Sequence, residues 1–227
     1  QLADGVKLST HSTIPVGCGM GSSAAMILCV MHALALQQDL HITPESYLEH
    51  AKETENLQHG RSSGVDLQVS LRGGCLRFQQ GMTQPRTIPA MPLFIVNTGK
   101  PLSTTGECVS AVAAKIDNPV MLADFAAVTN AMDAAIDLQN AAEMQRCVRT
   151  NHQLLVDIGV VPEKVQRFIT AIEQSGAAAK ICGAGAIKGD AAGIVLITAE
   201  TIPQKICEQF GYQVETIAGE RLGLHSV

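Results

Sequence analysis

Tryptophan is absent, and rings of any kind are few: 5 Phe and 2 Tyr in 227 residues. A single-strand nucleic-acid platform, which needs stacking aromatics, has little to be built from. Basic residues are also scarce. The 16 Lys and Arg against 21 Asp and Glu give a formal charge of −5, with a pI near 5.8. No Lys/Arg run occurs, which argues against a nucleic-acid or anionic-membrane surface as the main partner. Charged side chains are 16% of the total while 46% are hydrophobic, so extended disorder is excluded and a sizeable core is available.

There is no C-x-x-C among the seven cysteines, Cys18, Cys29, Cys75, Cys108, Cys147, Cys182 and Cys207. Scattered and odd in number, they read as reduced, mostly buried thiols of a cytoplasmic protein rather than a disulfide or zinc framework. The longest apolar run, residues 24–36, is too short for a membrane span, contains His32, and reads as a buried helix. No signal peptide is visible in the opening QLADGVKLST, and the missing initiator Met reads as a fragment or a processed chain.

The elements follow from periodicity and punctuation. Residues 6–13 alternate as a strand would, and 15–21 form a glycine loop. Ser22 or Ser23 is placed to cap the apolar helix running to about Gln38. Thr43-Pro44 starts a second helix, which ends before Gly60 and turns Leu48, Ala51 and Glu55 inward. A polar loop, HGRSSGVD (59–66), leads to strand signals at 75–78 and 82–88. A strand at 93–97 follows, then helices at about 104–116, 119–139, 141–157 and 162–174. Strands at 178–182 and 193–198, a short helix at 203–210 and a last strand at 212–217 close the chain. The second half has a ferredoxin-like order with extra helices inserted, and the whole reads as two α+β domains, 1–90 and 91–227.

Three segments carry chemistry. Pro15-Val-Gly-Cys-Gly-Met-Gly-Ser-Ser-Ala-Ala25 sets three glycines at alternate positions before a helix, an arrangement whose exposed amides bind phosphate. It lacks the lysine of a Walker A loop and the spacing of a Rossmann loop, and from spacing alone it reads equally as a tight turn into a core helix. Glu55 on an apolar stripe is costly unless paired or metal-bound, and Asp66, beyond a Gly/Ser loop, suits a hydroxyl-proton acceptor or a Mg²⁺ site. A bridge from Glu55 to Arg61 or Lys52 is the structural alternative. Lys180-Ile-Cys-Gly-Ala-Gly185 is a strand entering a glycine turn, and His59 reads as a hydrogen-bonding loop residue because no second ligand lies at metal spacing.

In this order the segments resemble the GHMP kinase family. Its phosphate-loop signature P-x-G-x-G-[LM]-G-S-S-A-A matches residues 15–25. Its mevalonate kinase branch shares E-x-x-x-H-G-x-[PS]-S-G-x-D at 55–66 and N-T-x-x-P-x-x-T at 97–104, and the NHQLLVDIGV segment at 151–160 is similar too. The resemblance implies a ribosomal-protein-S5-like N-terminal domain, incomplete at its start, joined to a ferredoxin-like C-terminal domain. It implies an ATP- and Mg²⁺-dependent kinase acting on a small-molecule alcohol, with mevalonate favoured, and a possible homodimer. Gly17, Gly19, Met20, Gly21, Ser22, Ser23 and Ala24, with Gly183, Ala184 and Gly185, would surround the nucleotide phosphates. Ser23 and Glu55 would hold Mg²⁺. Asp66 would orient or deprotonate the hydroxyl beside Thr104, with His59 and Gly64 near the substrate. Another GHMP kinase, for phosphomevalonate or a sugar, and a catalytically silent nucleotide- or metabolite-binding homologue are the alternatives.

Three departures from the family pattern accompany the match. The family's N-terminal Lys motif, whose lysine pairs with the catalytic Asp, has no counterpart. GAGAIKGD stands where the family has GAG-x-GG, which offers Lys188 as a phosphate contact or as a solvated surface residue. Leu102 occupies a position that often holds Arg.

Overall fold

Helix α1 (Ser22–Gln37) begins where the third loop glycine, Gly21, takes a left-handed conformation, φ 66°. Glycine reaches this region without the Cβ penalty that the flanking serines would carry. The N-cap is therefore Gly21 rather than Ser22 or Ser23, and no side chain caps the first turn. This computed structural model of the chain describes residues 5–59, 62–113, 115 and 118–226. Gly60 and Arg61, with the side chain of His59, lie outside the described residues.

Helices α2 (Pro44–His59) and α3 (Val65–Arg72) pack with α1 around Ala24, Leu28, Tyr47, Ala51 and Leu67. No helix is expected from the sequence between the polar loop and the strand signal at 75–78. Gly64, at φ 83°, nevertheless starts α3 and puts Asp66, beyond the loop as expected, in its first turn, where a carboxylate faces the positive end of the helix dipole. The apolar run 24–36 reads as a buried helix. Only one side is covered among the described residues, and Met26, Cys29 and Leu36 are exposed. The strand expected at 6–13 is not formed either: this segment has no described strand to pair with and runs irregularly along α1.

Strands β1 (Cys75–Gln79) and β2 (Met82–Arg86) form an antiparallel hairpin. The second sheet contains β3 (Leu93–Asn97), β4 (Ala178–Ile181), β5 (Ile194–Thr198) and β6 (Val214–Ile217), in the order β4-β5-β3-β6 with every pairing antiparallel. That is the ferredoxin-like arrangement expected from element order. Between β3 and β4 run α4 (Thr105–Ala113), α5 (Pro119–Asp137), α6 (Ala141–Asp157) and α7 (Glu163–Gln174), and α8 (Gln204–Gln209) joins β5 to β6.

Alternation along the strands builds the main core. Register places Ile181, Val195 and Val96 in one row and Ala179, Ile197 and Phe94 in the next. Val165, Phe168, Ile169 and Ile172 of α7 belong to the same fully enclosed cluster. Each large aliphatic or aromatic side chain buried there is worth about 1.5–3 kcal/mol. Phe168 meets Phe210 and Tyr212 edge-on, with ring centroids 5.3 and 5.0 Å away. Residues 220–226 return to the helical cluster, where the Leu224 N–H donates to the Leu71 carbonyl at 3.1 Å. No helix among the described residues is long and apolar enough to cross a membrane.

Candidate active site

Three glycines in left-handed conformations shape the loop before α1: Gly17 at φ 73°, Gly19 at 86° and Gly21 at 66°. The loop is fastened to the second sheet through backbone. The Ile194 N–H, at the start of β5, donates to the Cys18 carbonyl at 2.8 Å, and the Cys182 N–H donates to the Ile194 carbonyl at 2.8 Å. A Cβ on Gly19 would stand 2.7 Å from the Cys182 oxygen, and one on Gly183 would stand 2.8 Å from the Gly19 Cα. Gly19 and Gly183, 164 positions apart in the chain, thus meet backbone to backbone. A small cavity of about 40 Å³ lies at this junction, lined by Gly17, Gly19, Ser103, Cys182, Ala184 and Gly185 among others. Burial pushes the Cys182 and Cys108 thiols up, so neither is poised as a thiolate.

The acidic residues arrive from α2 and α3. His32 of α1 hydrogen-bonds Tyr47 at the start of α2 at 3.0 Å, so the two helices form a hairpin. Ala24 of α1 and Ala51 of α2, one turn before Glu55, belong to one buried cluster. Glu55 is 5% exposed. Its Oε2 accepts from the Ser62 hydroxyl at 2.5 Å, and the Gly64 N–H donates to that hydroxyl at 2.9 Å. The Ser62 N–H meanwhile donates to Asn56 Oδ1 at 2.7 Å. Ser62 is therefore the described partner of Glu55. The side chain of Lys52 lies instead near Gly64, 3.9 Å from where a Cβ would stand, and Arg61 is outside the described residues.

Asp66 reaches the loop: a Cβ on Gly21 would be 3.4 Å from the Asp66 Cβ and 3.8 Å from its Oδ1. The structure brings Gly17, Gly19, Gly21, Asp66, Gly183 and Gly185 to one region. Thr104 immediately precedes α4, and its neighbours Ser103 and Thr105 line the cavity at the junction.

Sequence reasoning missed how Thr104 is held. It forms a capping box with Glu107: the Thr104 N–H and hydroxyl donate to Glu107 Oε2 at 2.8 and 3.1 Å, and the Glu107 N–H donates back to Thr104 Oγ1 at 3.2 Å. The T-x-x-E spacing was the available signal. Lys188 donates to Glu107 Oε1 at 3.0 Å rather than standing alone in solvent. The Thr104 amide, then Lys188 and the Thr104 hydroxyl, hold the Glu107 carboxyl down at about 2. Ser103 Oγ also accepts from the Ile187 N–H at 3.0 Å, so the altered turn is docked onto residues 103–107.

No group of three or more His, Cys, Asp and Glu able to hold a metal occurs among the described residues. The oxygens there are hard ones: a buried carboxylate oriented by Ser62 and serine hydroxyls at the start of α1. That set fits Mg²⁺, which needs few protein ligands when phosphates and water complete its shell.

Residues 1–74 match the family described as GHMP kinases N terminal domain. A mevalonate kinase of Archaeoglobus fulgidus is 33% identical over 187 residues, 80% of this chain and 63% of that protein. Among solved structures, L. major mevalonate kinase in complex with R-mevalonate has a TM-score of 0.71 at 19% identity, covering 91% of this chain and 67% of that one. Streptococcus pneumoniae phosphomevalonate kinase with phosphomevalonate and AMPPNP has 0.74 at 15%, covering 88% and 69%. At such identities the structural matches carry the fold.

Residues 1–74 carry the match to that family's N-terminal domain, and the α+β architecture of the chain is that of these solved kinases. Its similarity in sequence runs to mevalonate kinases, and it spans about three fifths of the length of the curated relatives it matches.

Proposed function

We propose that this chain is a kinase of mevalonate kinase type, transferring the γ-phosphoryl group of ATP to the 5-hydroxyl of mevalonate. Residues 1–90 are read as the domain that presents the phosphate loop and the acid, and 91–227 as the domain that closes the site. The observation that carries the proposal is the contact of Asp66 with Gly21, which sets a carboxylate beside a glycine loop and an uncapped helix N-terminus. Phosphoryl transfer asks the protein mainly for positioning and charge neutralisation.

In this reading residues 17–24 present amides and hydroxyls to the phosphates, and Gly183, Ala184 and Gly185 form the facing wall. Ser23 and Glu55 would hold Mg²⁺, which would supply charge neutralisation. Asp66 accepts the proton of the attacking hydroxyl as the new P–O bond forms and ADP departs. His59 and Gly64 border the acceptor, and Thr104 stands near the transferred group. The relatives' names support mevalonate as acceptor, while similarity in fold to phosphomevalonate kinase keeps that acid in the test.

The test is ADP release by the 227-residue chain with Mg²⁺-ATP and mevalonate, phosphomevalonate, galactose or homoserine in turn. Turnover is expected with mevalonate, and Asp66→Asn should reduce kcat by about 100-fold or more. Turnover with a different acceptor would reassign the substrate. ATP binding with no turnover on any acceptor would point to a silent homologue.

A further inference from the structure

The glycine loop contains no lysine, although polyphosphate loops that neutralise charge well usually carry one. Among the described residues, Lys180 is half-buried beside Cys182, and three other lysines come near this region. Lys188 is committed to Glu107, and Lys52 lies near Gly64 on the Asp66 side. Lys100 is placed differently. A Cβ on Gly17 would stand 3.4 Å from the Lys100 Cε, so this side chain runs past the loop's first glycine, one bond short of its ammonium. The residue is exposed, and no ion pair among the described residues involves it.

Its backbone is held firmly. The Gly99 N–H donates to Asn97 Oδ1 at 2.9 Å, and the Gly193 N–H donates to the Gly99 carbonyl at 3.0 Å. The Thr98 N–H and hydroxyl both donate to the Gly193 carbonyl, at 2.9 and 2.7 Å, and the Ala192 N–H donates to Thr98 Oγ1 at 3.0 Å. Pro101 follows and restricts Lys100 to extended backbone. Ile194, the next residue after Gly193, holds the glycine loop through Cys18. Lys100 and the phosphate loop therefore hang from two adjacent residues at the start of β5. Their separation is fixed while the ammonium remains in solvent, able to meet a ligand.

We propose that Lys100 contacts the nucleotide polyphosphate and supplies from the second half of the chain the cation that the glycine loop lacks. The ligand class is a nucleoside triphosphate, met through its phosphate oxygens, so the inference rests on the kinase reading. A charge-assisted hydrogen bond of this kind corresponds to about 10- to 100-fold in affinity.

Calorimetric titration of the 227-residue chain with Mg²⁺-ATP, and separately with inorganic tripolyphosphate, tests it in wild type, Lys100→Ala, Lys100→Arg and Lys205→Ala. Lys205, beyond the far end of β5, is the control. With thermal midpoints unchanged, Lys100→Ala should bind both probes about 10- to 100-fold more weakly and with a shallower salt dependence, while Lys100→Arg and Lys205→Ala stay near wild type. Wild-type affinity in folded Lys100→Ala overturns the Lys100 role and leaves the kinase reading standing. An equal loss in Lys205→Ala also overturns it, since the effect would then be general charge. Failure of wild type to bind either probe overturns both.

Discussion

At the scale of single residues, the buried Glu55 carboxylate presents the sharpest energetic demand. A carboxyl group 5% exposed needs partners, and the Ser62 hydroxyl provides one at 2.5 Å. A carboxamide oxygen accepts that hydrogen bond equally well. Glu55→Gln should therefore keep the fold, with a thermal midpoint within a few degrees of wild type. If Glu55 binds the metal, the Mg²⁺ concentration for half-maximal activity should rise about tenfold or more. A large fall in the midpoint with unchanged Mg²⁺ dependence would assign Glu55 a structural role only. The inward position of Glu55 was legible from its place one turn after Ala51. Its partner was not, because Ser62 reaches it only through the turn of chain between α2 and α3.

At the scale of elements, the hairpin and α5 are joined by charge. Asp133 accepts from Arg77 Nη1 and from Arg86 Nε at 2.7 Å, Arg86 Nε also lies 3.2 Å from Asp137, and Arg77 Nη2 donates to Asn130 Oδ1 at 2.8 Å. The Asp133 side chain is only 13% exposed. Asp133→Ala leaves two guanidinium groups facing an apolar methyl, a loss of about 3 kcal/mol, or roughly 10 °C in the thermal midpoint. Arg86, with Arg77 beside it, holds the Asp133 carboxyl at about 2 against an ordinary 3.8. The folded-state value is the lower one, so this stabilisation is complete above about pH 4 and is lost as pH falls toward 2. Thermal melts of wild type and Asp133→Ala should converge across that interval. Equal acid sensitivity in both proteins would remove Asp133 from the account. Periodicity showed the helix and alternation showed the strands. The pairing between them depends on how elements 47 to 56 residues apart dock, which local sequence does not encode.

At the scale of the whole molecule, the site exists because the glycine loop lies against the turn after β4. Gly19 has φ 86°, and a Cβ there would meet the Cys182 carbonyl oxygen at 2.7 Å and carbon at 3.0 Å. Gly19→Ala should destabilise by about 1–3 kcal/mol and weaken Mg²⁺-ATP binding, as read by thermal melts and calorimetry. Gly176, at φ 91° with open space around its Cβ position, is the comparison for backbone strain alone. Gly176→Ala should cost about 1 kcal/mol and leave nucleotide affinity intact. If both variants lose ATP equally, close approach at Gly19 is not what shapes the site.

The sequence by itself determined the helices, the strands of the second sheet and the segments that carry chemistry, because periodicity, caps and glycine spacing act within a few residues. It misjudged 6–13, where alternation requires a neighbouring strand, and missed α3, which Gly64 starts inside a polar run. Only the tertiary structure decided that Gly19 meets Gly183, that Asp66 lies against Gly21, that Lys188 joins Glu107 and that Lys100 passes Gly17. These contacts span 45 to 164 positions of chain. Their distances are set by sheet register and by backbone hydrogen bonds at Gly193 and Ile194, which depend on the folded arrangement rather than on any local pattern.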